Sequence, residues 1–430
     1  METKQKLLDL KARTYKNATE CIMPFWKKYM VDTEKGGFYG AVDKNLKPIK
    51  NAPKSAVLMT RMLWAYSNAY DVTKDEDYAR LAEREFVYIR DHFWDPVYGG
   101  VYWMVGPDGD PFDTIKRTYA QACFLYAVSE YYYIFRNEEA LAYAMKTLNL
   151  LYQHVRQKNG AYLDSVCRDW QVDPWVCTWF MNKGGAPFLL NSHLHLFEGI
   201  ALLYRCTGQE KVKNILKELL IFLLDNCVEY DTGHLKAGMN EKLFRIDNEI
   251  SYGHDLECAY LMEDAATLLG EPELLERTNK VVLMLAKNAL EEALDCTEGG
   301  LFNEKDAKTG QLMKSKIWWV QCESITGFLC AYEISGDEAY LDGAIKIYDY
   351  VEKYMSDWEK GEWYAVGKHA SENPIIKAMD DSLFIVVGDE KANKTKCPYH
   401  NSRSTFGVSE RVDRLLKNRL NSREEAYENV

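Results

Sequence analysis

The chain holds only eight histidines in 430 residues, and three of them, His195, His254 and His400, stand near the starts of apolar, helix-patterned stretches. Imidazole titrates near neutrality, so each can take or deliver a proton at physiological pH. Two imidazoles on opposite sides of a bound carbon suit removal of a proton from one face and its return to the other. Carboxylates lie at helical spacing from them: Glu198 follows His195 by three residues, and Glu257 follows His254 by three. A carboxylate so placed fixes a tautomer and raises a neighbouring histidine's pKa. Asn191 precedes His195 by four and shares its face, Trp319 precedes Glu323 by four, and Arg403 follows His400 by three. His193, two residues from His195, points differently, so only His195 is expected to face a ligand. Arg61, Arg117, Tyr119, Gln121, Trp318, Gln321 and Asn401 occupy similar places. A bound polar ligand is a good reason to bury so much polarity in one concavity.

Other chemistries fit less well. Three histidines with a glutamate can ligate zinc, but no HExxH or paired-cysteine motif is present and the histidines belong to separate stretches. No metal and no cofactor are expected. A glycosidase needs a dominant carboxylate pair; Glu257 and Glu323 are candidates, yet the pattern is centred on histidine. No glycine-rich phosphate loop or dinucleotide fingerprint appears. His92 and His154 read as surface or packing residues of outer helices, and His234 and His369 as loop residues. Asp169 and Trp170 read equally as rim or loop packing.

The elements that position these residues follow from an internal repeat. Six turns share glycine followed by small and aromatic residues: GGFYGA, GGVYWM, GAYLDS, GHLKAG, GGLFNE and GEWYAV, with glycine at 37, 100, 160, 233, 300 and 361. Each reads as a short β-hairpin. Two helical patterns separate successive hairpins. The first is apolar and aromatic nearly all round, as in KRTYAQACFLYAVSEYYY, and reads as an inner helix; the second, as in KDEDYARLAE, opens on acidic or capping residues and is amphipathic, as an outer helix should be. The first 30 residues add one outer helix, and residues from about 400 add one inner helix. Twelve helices in this order predict a closed (α/α)6 barrel, with first and last helices making the sixth pair and short hairpins in the loops. An open α-solenoid scaffold is the alternative.

The length suggests roughly three domains at about 150 residues each; the repeat replaces that with a single catalytic domain over 1–430. The formal charge of −12 argues against nucleic-acid or anionic-membrane partners. The charged start METKQKLLDL lacks a signal-peptide core, and no run approaches 18 apolar residues. Eleven scattered cysteines without C-x-x-C pairs read as reduced thiols. A cytoplasmic monomer or homodimer is expected.

The stretches NSHLHLFEG, SYGHDLE, KIWWVQCES and YHNSR, in this order, resemble the signature stretches of cellobiose 2-epimerases, within the N-acylglucosamine 2-epimerase superfamily. The resemblance covers nearly the whole chain, including KSAVLMTRMLWAY and KRTYAQACFLYAVSEYY. It implies an (α/α)6 barrel that converts the reducing-end glucose of a β-1,4-linked disaccharide into mannose without a cofactor. The ring opens, a proton leaves C2, an enediolate forms, and rotation about C2–C3 allows reprotonation on the other face. The resemblance makes His254 and His400 the acid/base pair, His195 the residue of ring opening, and Glu257 the carboxylate that supports His254. Arg61, Tyr119 and Asn191 match sugar-contacting positions and Trp319 a stacking aromatic; Glu323 and Arg403 join them as substrate-binding candidates. Two departures stand out. Thr395-Lys396 occupies the place of a family Trp-Lys, and residues 172–190 differ from the usual approach to the third inner helix, leaving Trp175 or Trp179 to supply the ring. A mannose 2-epimerase or aldose–ketose isomerase of the same superfamily shares the enediolate, and a sugar hydrolase on the same barrel is a further alternative.

Overall fold

The computed structural model describes residues 3–179, 185–367 and 390–428. Helix α1 (Thr3–Asn17) passes through a π-helical turn into α2 (Met23–Tyr29). There follow α3 (Ala56–Thr73), α4 (Glu76–Tyr88), α5 (Thr118–Phe135), α6 (Glu138–His154), the short α7 (Pro174–Trp179), α8 (Leu190–Thr207) and α9 (Glu210–Phe222). The remainder is α10 (Tyr252–Leu269), α11 (Pro272–Glu292), α12 (Trp318–Ser335), α13 (Glu338–Tyr350) and α14 (Tyr399–Glu428). Helices α3, α5, α8, α10, α12 and α14 pack side by side in that order, and α14 returns against α3 to close the ring. Each is backed by the helix that follows it, and α1 backs α14. This is an (α/α)6 barrel, closed by its two ends as the repeat predicts.

Burial explains why the two helix classes segregate. In α5 every residue from Ala120 to Tyr131 is buried, so only an inner position suits it. In α4 the buried set narrows to Tyr78, Ala82, Glu85, Phe86 and Tyr88, the single stripe of an outer helix. The outer helices start cleanly because Asp75, Asn137 and Asp337 accept backbone N–H bonds from the first turn.

The six glycine turns all close as antiparallel pairings, for example Val31 with Phe38, Trp94 with Val101 and Ser356 with Trp363. At Gly100 φ is +70°, and a Cβ there would lie 2.6 Å from Trp170, so both conformation and space require glycine. Two recurrent polar ties fasten the hairpins to the ring. In the first, a buried lysine ahead of an inner helix, two residues before it in three cases and eight in the case of α14, reaches an aspartate at the hairpin's start. Lys116 Nζ lies 3.1 Å from Asp95, which also accepts the Val97 and Tyr98 N–H groups. Lys316 and Asp295 repeat this at 2.7 Å, Lys391 and Asp357 at 2.7 Å, and Lys54 and Asp32 at 3.5 Å. In the second, the fourth residue of an inner helix holds the residue that leaves the turn. Gln121 brackets Val101 through its N–H (2.8 Å) and C=O (2.7 Å), and Gln321 does the same to Leu301 (2.7 and 2.9 Å). His193 Nε2 accepts the Tyr162 N–H at 2.9 Å, and Asp255 accepts that of Leu235 at 3.0 Å. Gln121 and Gln321, expected among the polar residues of the mouth, are therefore spent on backbone. No helix among the described residues is long and apolar enough to cross a membrane.

Candidate active site

All six inner helices contribute to one buried polar cluster. Arg61 on α3 is 2% exposed. Its Nε donates to Tyr126 Oη on α5 (2.8 Å) and its Nη2 to His195 Nε2 on α8 (3.2 Å), with the guanidinium 4.6 Å above the Tyr399 ring and 5.4 Å above Tyr119. Arginine only donates, so His195 Nε2 accepts and its proton sits on Nδ1. That Nδ1–H donates to Glu198 at 3.0 Å. Burial pushes His195 down to about 4, against the pull of Glu198. His195 is thus a neutral imidazole of fixed tautomer at pH 7.

His400, the second residue of α14, donates from Nδ1 to Glu323 on α12 at 2.5 Å, leaving Nε2 as its basic nitrogen. Burial, helped by Arg61 and Arg403, holds it well below the usual imidazole value. His254, partly buried on α10, faces the same aromatic: its ring centroid is 4.7 Å from that of Trp319, and His400 is 6.0 Å from that ring on α12. His195 and His400 lie 6.4 Å apart.

Arg403 is held by the protein itself. Nη1 donates to Glu198 at 2.6 Å, and Nη2 donates to Glu257 at 2.5 Å and Glu323 at 2.8 Å; Tyr399 Oη also meets Nη1 and Glu198. Tyr260 donates to Glu323 at 2.6 Å. Glu323 and Arg403, expected at the substrate, are engaged by these partners. Glu257, expected beside His254, places Oε1 against Arg403 and 3.9 Å from His400 Nδ1. Burial and the Glu323 carboxylate push Glu257 upward, while Arg403 opposes them. Burial also disfavours charge on Glu198, but Arg403 and His195 outweigh it and hold that carboxyl at about 2.

Glu257, Glu323 and His400 place potential ligand atoms within 4.8 Å of one another. Arg403 Nη2 already bridges the two carboxylates, so the cation at this spot is a guanidinium. The three histidines do not form this group, as the zinc reading required.

Sequence reasoning gave Glu198 only as a companion of His195 and missed Tyr126, Tyr260 and Tyr399. Tyr126 stands seven residues after Tyr119 on the same helix face, a spacing that signals it. Asn191 is partly buried one turn before His195. Tyr119 is partly buried beside His195, with ring centroids 5.2 Å apart. Trp170 is packed, donating to Tyr98 O at 2.9 Å. His234 pairs with Asp255 at 2.7 Å, and His154 stacks on Trp170. Trp175 is 63% exposed; the Trp179 side chain and His369 lie outside the described residues. Thr395 is exposed and turns back to Asn393, whereas Lys396 is buried against Glu362 at 2.6 Å.

Trp319 owes its place to Gly253. A Cβ at that glycine would lie 2.6 Å from the indole, so Gly253→Ala must displace the ring shared by both histidines. We expect a roughly 10–100-fold loss in kcat/KM with little change in thermal midpoint, read by steady-state kinetics and thermal unfolding. Wild-type kinetics would show that Trp319 need not sit there.

The family model described as N-acylglucosamine 2-epimerase (GlcNAc 2-epimerase) matches residues 36–383. The chain is 33% identical to the cellobiose 2-epimerase of Bacteroides fragilis over 92% of its own length and 97% of that protein's. It is 35% identical to the Ruminococcus albus cellobiose 2-epimerase, over 91% and 96%. The solved cellobiose 2-epimerase of Bacillus thermoamylovorans superposes with a TM-score of 0.84 at 32% identity, covering 94% of this chain and 99% of that one. With its ring closed and its histidines in this arrangement, the chain belongs to the N-acylglucosamine 2-epimerase family, alongside the cellobiose 2-epimerases.

Proposed function

We propose that the chain is a cofactor-independent isomerase that epimerises sugars at C2, interconverting reducing-end glucose and mannose in β-1,4-linked disaccharides, with cellobiose the first substrate to test. The observation that carries this reading is the placement of His254 and His400 against one indole, Trp319, at 4.7 and 6.0 Å. A sugar seated on that indole would have an imidazole available to each face of C2. His400, kept neutral by burial, accepts the C2 proton at Nε2. The electrons of the C–H bond pass into an enediolate whose oxygens are met by Arg61 and Tyr119. After rotation about C2–C3, protonated His254 delivers a proton to the opposite face; the reverse reaction exchanges the two roles. His195, neutral and oriented by Glu198, serves proton transfer in ring opening, and Asn191 binds a sugar hydroxyl.

The whole chain acts as one catalytic domain in this reading, in the cytoplasm, as a monomer or homodimer. One observation favours a shorter sugar as the second reading: the exposed Thr395 offers no ring for a second sugar unit. Incubation of EDTA-treated protein with cellobiose, mannobiose, lactose and mannose in D2O separates these readings. C2 epimers carrying deuterium at C2 are expected. Exchange with mannose alone supports the shorter substrate, a ketose product supports an isomerase, released monosaccharides support a hydrolase, and no deuterium uptake with any sugar sinks the proposal.

A further inference from the structure

The three carboxylates around Arg403 come from three different helices, α8, α10 and α12, while the arginine comes from a fourth, α14. Two of these carboxylates each hold a histidine. Glu198 uses Oε2 for His195 and Oε1 for Arg403; Glu323 uses Oε1 for His400 and Oε2 for Arg403. Each carboxylate thus spends one oxygen on a histidine Nδ1–H and the other on the guanidinium. The two nitrogens used are separate, Nη1 for Glu198 and Nη2 for Glu323. A planar fork can serve both at once, and a lysine ammonium has no such fixed geometry.

We infer that Arg403 is the positioning residue that sets the orientation of His195 and His400 together, through Glu198 and Glu323, rather than a contact to the sugar. Both of its Nη nitrogens are taken: Glu198, Glu257, Glu323 and Tyr399 accept from them, and the guanidinium lies 4.3 Å over the Tyr399 ring and 5.5 Å from that of Tyr260. Its side chain is 12% exposed. Removing the fork takes away the charged donor that fixes each carboxylate, leaving Tyr399 on Glu198 and Tyr260 on Glu323, so both imidazoles lose part of their fixed Nδ1–H partner geometry. The inference deepens the proposed function, since it concerns the two histidines that reading places at the sugar.

The charges facing the pair come from every inner helix that touches them. His195 meets Arg61 from α3, Tyr119 and Tyr126 from α5, Glu198 from its own helix, and Tyr399, His400 and Arg403 from α14; His400 meets Arg61 from α3, His195 and Glu198 from α8, Glu257 from α10, Glu323 from α12, and Tyr399 and Arg403 from its own helix. The Arg403 charge lowers both imidazoles. Arg403→Lys keeps that charge but not the fork, and Arg403→Gln loses both.

The test has one arm that needs no turnover. In protein labelled with 15N-histidine, three Nδ1–H signals shifted downfield by carboxylate acceptors are expected: those of His195 and His400, and that of His234 on Asp255, which lies outside the cluster and should stay unmoved as a reference. Arg403→Lys should broaden or move the His195 and His400 signals, and Arg403→Gln should also raise the titration midpoints of both histidines. Glu198→Gln, a second variant with the cluster otherwise intact, should move the His195 signal and leave that of His400. In the kinetic arm, Arg403→Lys should lower kcat roughly 10–100-fold, the range for residues that orient reactive groups, with KM within about threefold of wild type. Arg403→Gln should in addition move the acidic limb of the pH profile upward. A rise in KM with unchanged kcat and both histidine signals undisturbed would overturn the inference and make Arg403 a sugar contact. A wild-type protein without epimerase activity would sink the proposed function, while the histidine spectra would still decide the role of Arg403.

Discussion

His400→Ala is expected to lower C2 epimerisation by roughly 10²–10⁴-fold, the usual contribution of a positioned proton-transfer group. The fold should survive, because Glu323 keeps Arg403 and Tyr260 as partners at 2.8 and 2.6 Å. The same loss is expected for His254→Ala. The two variants should differ in what they retain. Each keeps one imidazole, and one imidazole can remove a C2 proton and return a solvent deuteron to the same face. His254→Ala should therefore exchange deuterium slowly into the epimer that His400 serves, without inversion, and His400→Ala into the other. Mass spectrometry and C2–H NMR on each purified epimer, run beside thermal unfolding, read this directly. Wild-type inversion in either variant removes that histidine from the acid/base pair.

The largest expected effect on stability lies under the same helix. Lys396 and Glu362 are 1% and 0% exposed and meet at 2.6 Å; Asn401 Nδ2 reaches the same carboxylate oxygen at 2.7 Å, and the Trp26 indole donates to the other. Lys396→Met leaves that carboxylate buried with neutral donors only. Breaking one side of a buried pair costs about 3–5 kcal/mol, so the urea midpoint should fall accordingly. The double variant Lys396→Met, Glu362→Gln removes the stranded charge and should recover most of the loss. A single-variant loss under about 1 kcal/mol would show that water or rearrangement satisfies Glu362. Because Asn401 adjoins His400, activity should fall with the single variant even below its unfolding midpoint.

The ring was legible in the sequence because its signals are local. A glycine at a positive φ, an Asp or Asn cap and an apolar period each report on a few neighbouring residues, and repetition made them unambiguous. The histidines stood out as rare residues near the starts of inner helices, although they take the sixth, third and second places of α8, α10 and α14 rather than one shared position. Helical spacing does not say what lies opposite a side chain. Gln121 and Gln321 have the position of mouth residues, but the hairpin backbone of Val101 and Leu301 stands before them. Arg403 has the spacing of a companion to His400, yet its partners lie 205, 146 and 80 residues away on other helices. Glu257 stands one turn from His254 but turns its Oε1 to Arg403. Such pairings depend on how six helices are rotated about their axes, which no single stretch encodes.

The ties that fasten the hairpins span short distances along the chain: Lys116 to Asp95 covers 21 residues, and Gln121 to Val101 covers 20. Each unit therefore closes its own turn with its own residues and borrows little from its neighbours. Connecting loops beyond those ties can lengthen, shorten or be exchanged between related barrels without disturbing the register of the inner helices. A scaffold built this way lets the entrance diversify while the proton-transfer groups beneath it stay in place, so new sugar preferences are to be sought by grafting loops rather than by redesigning the ring.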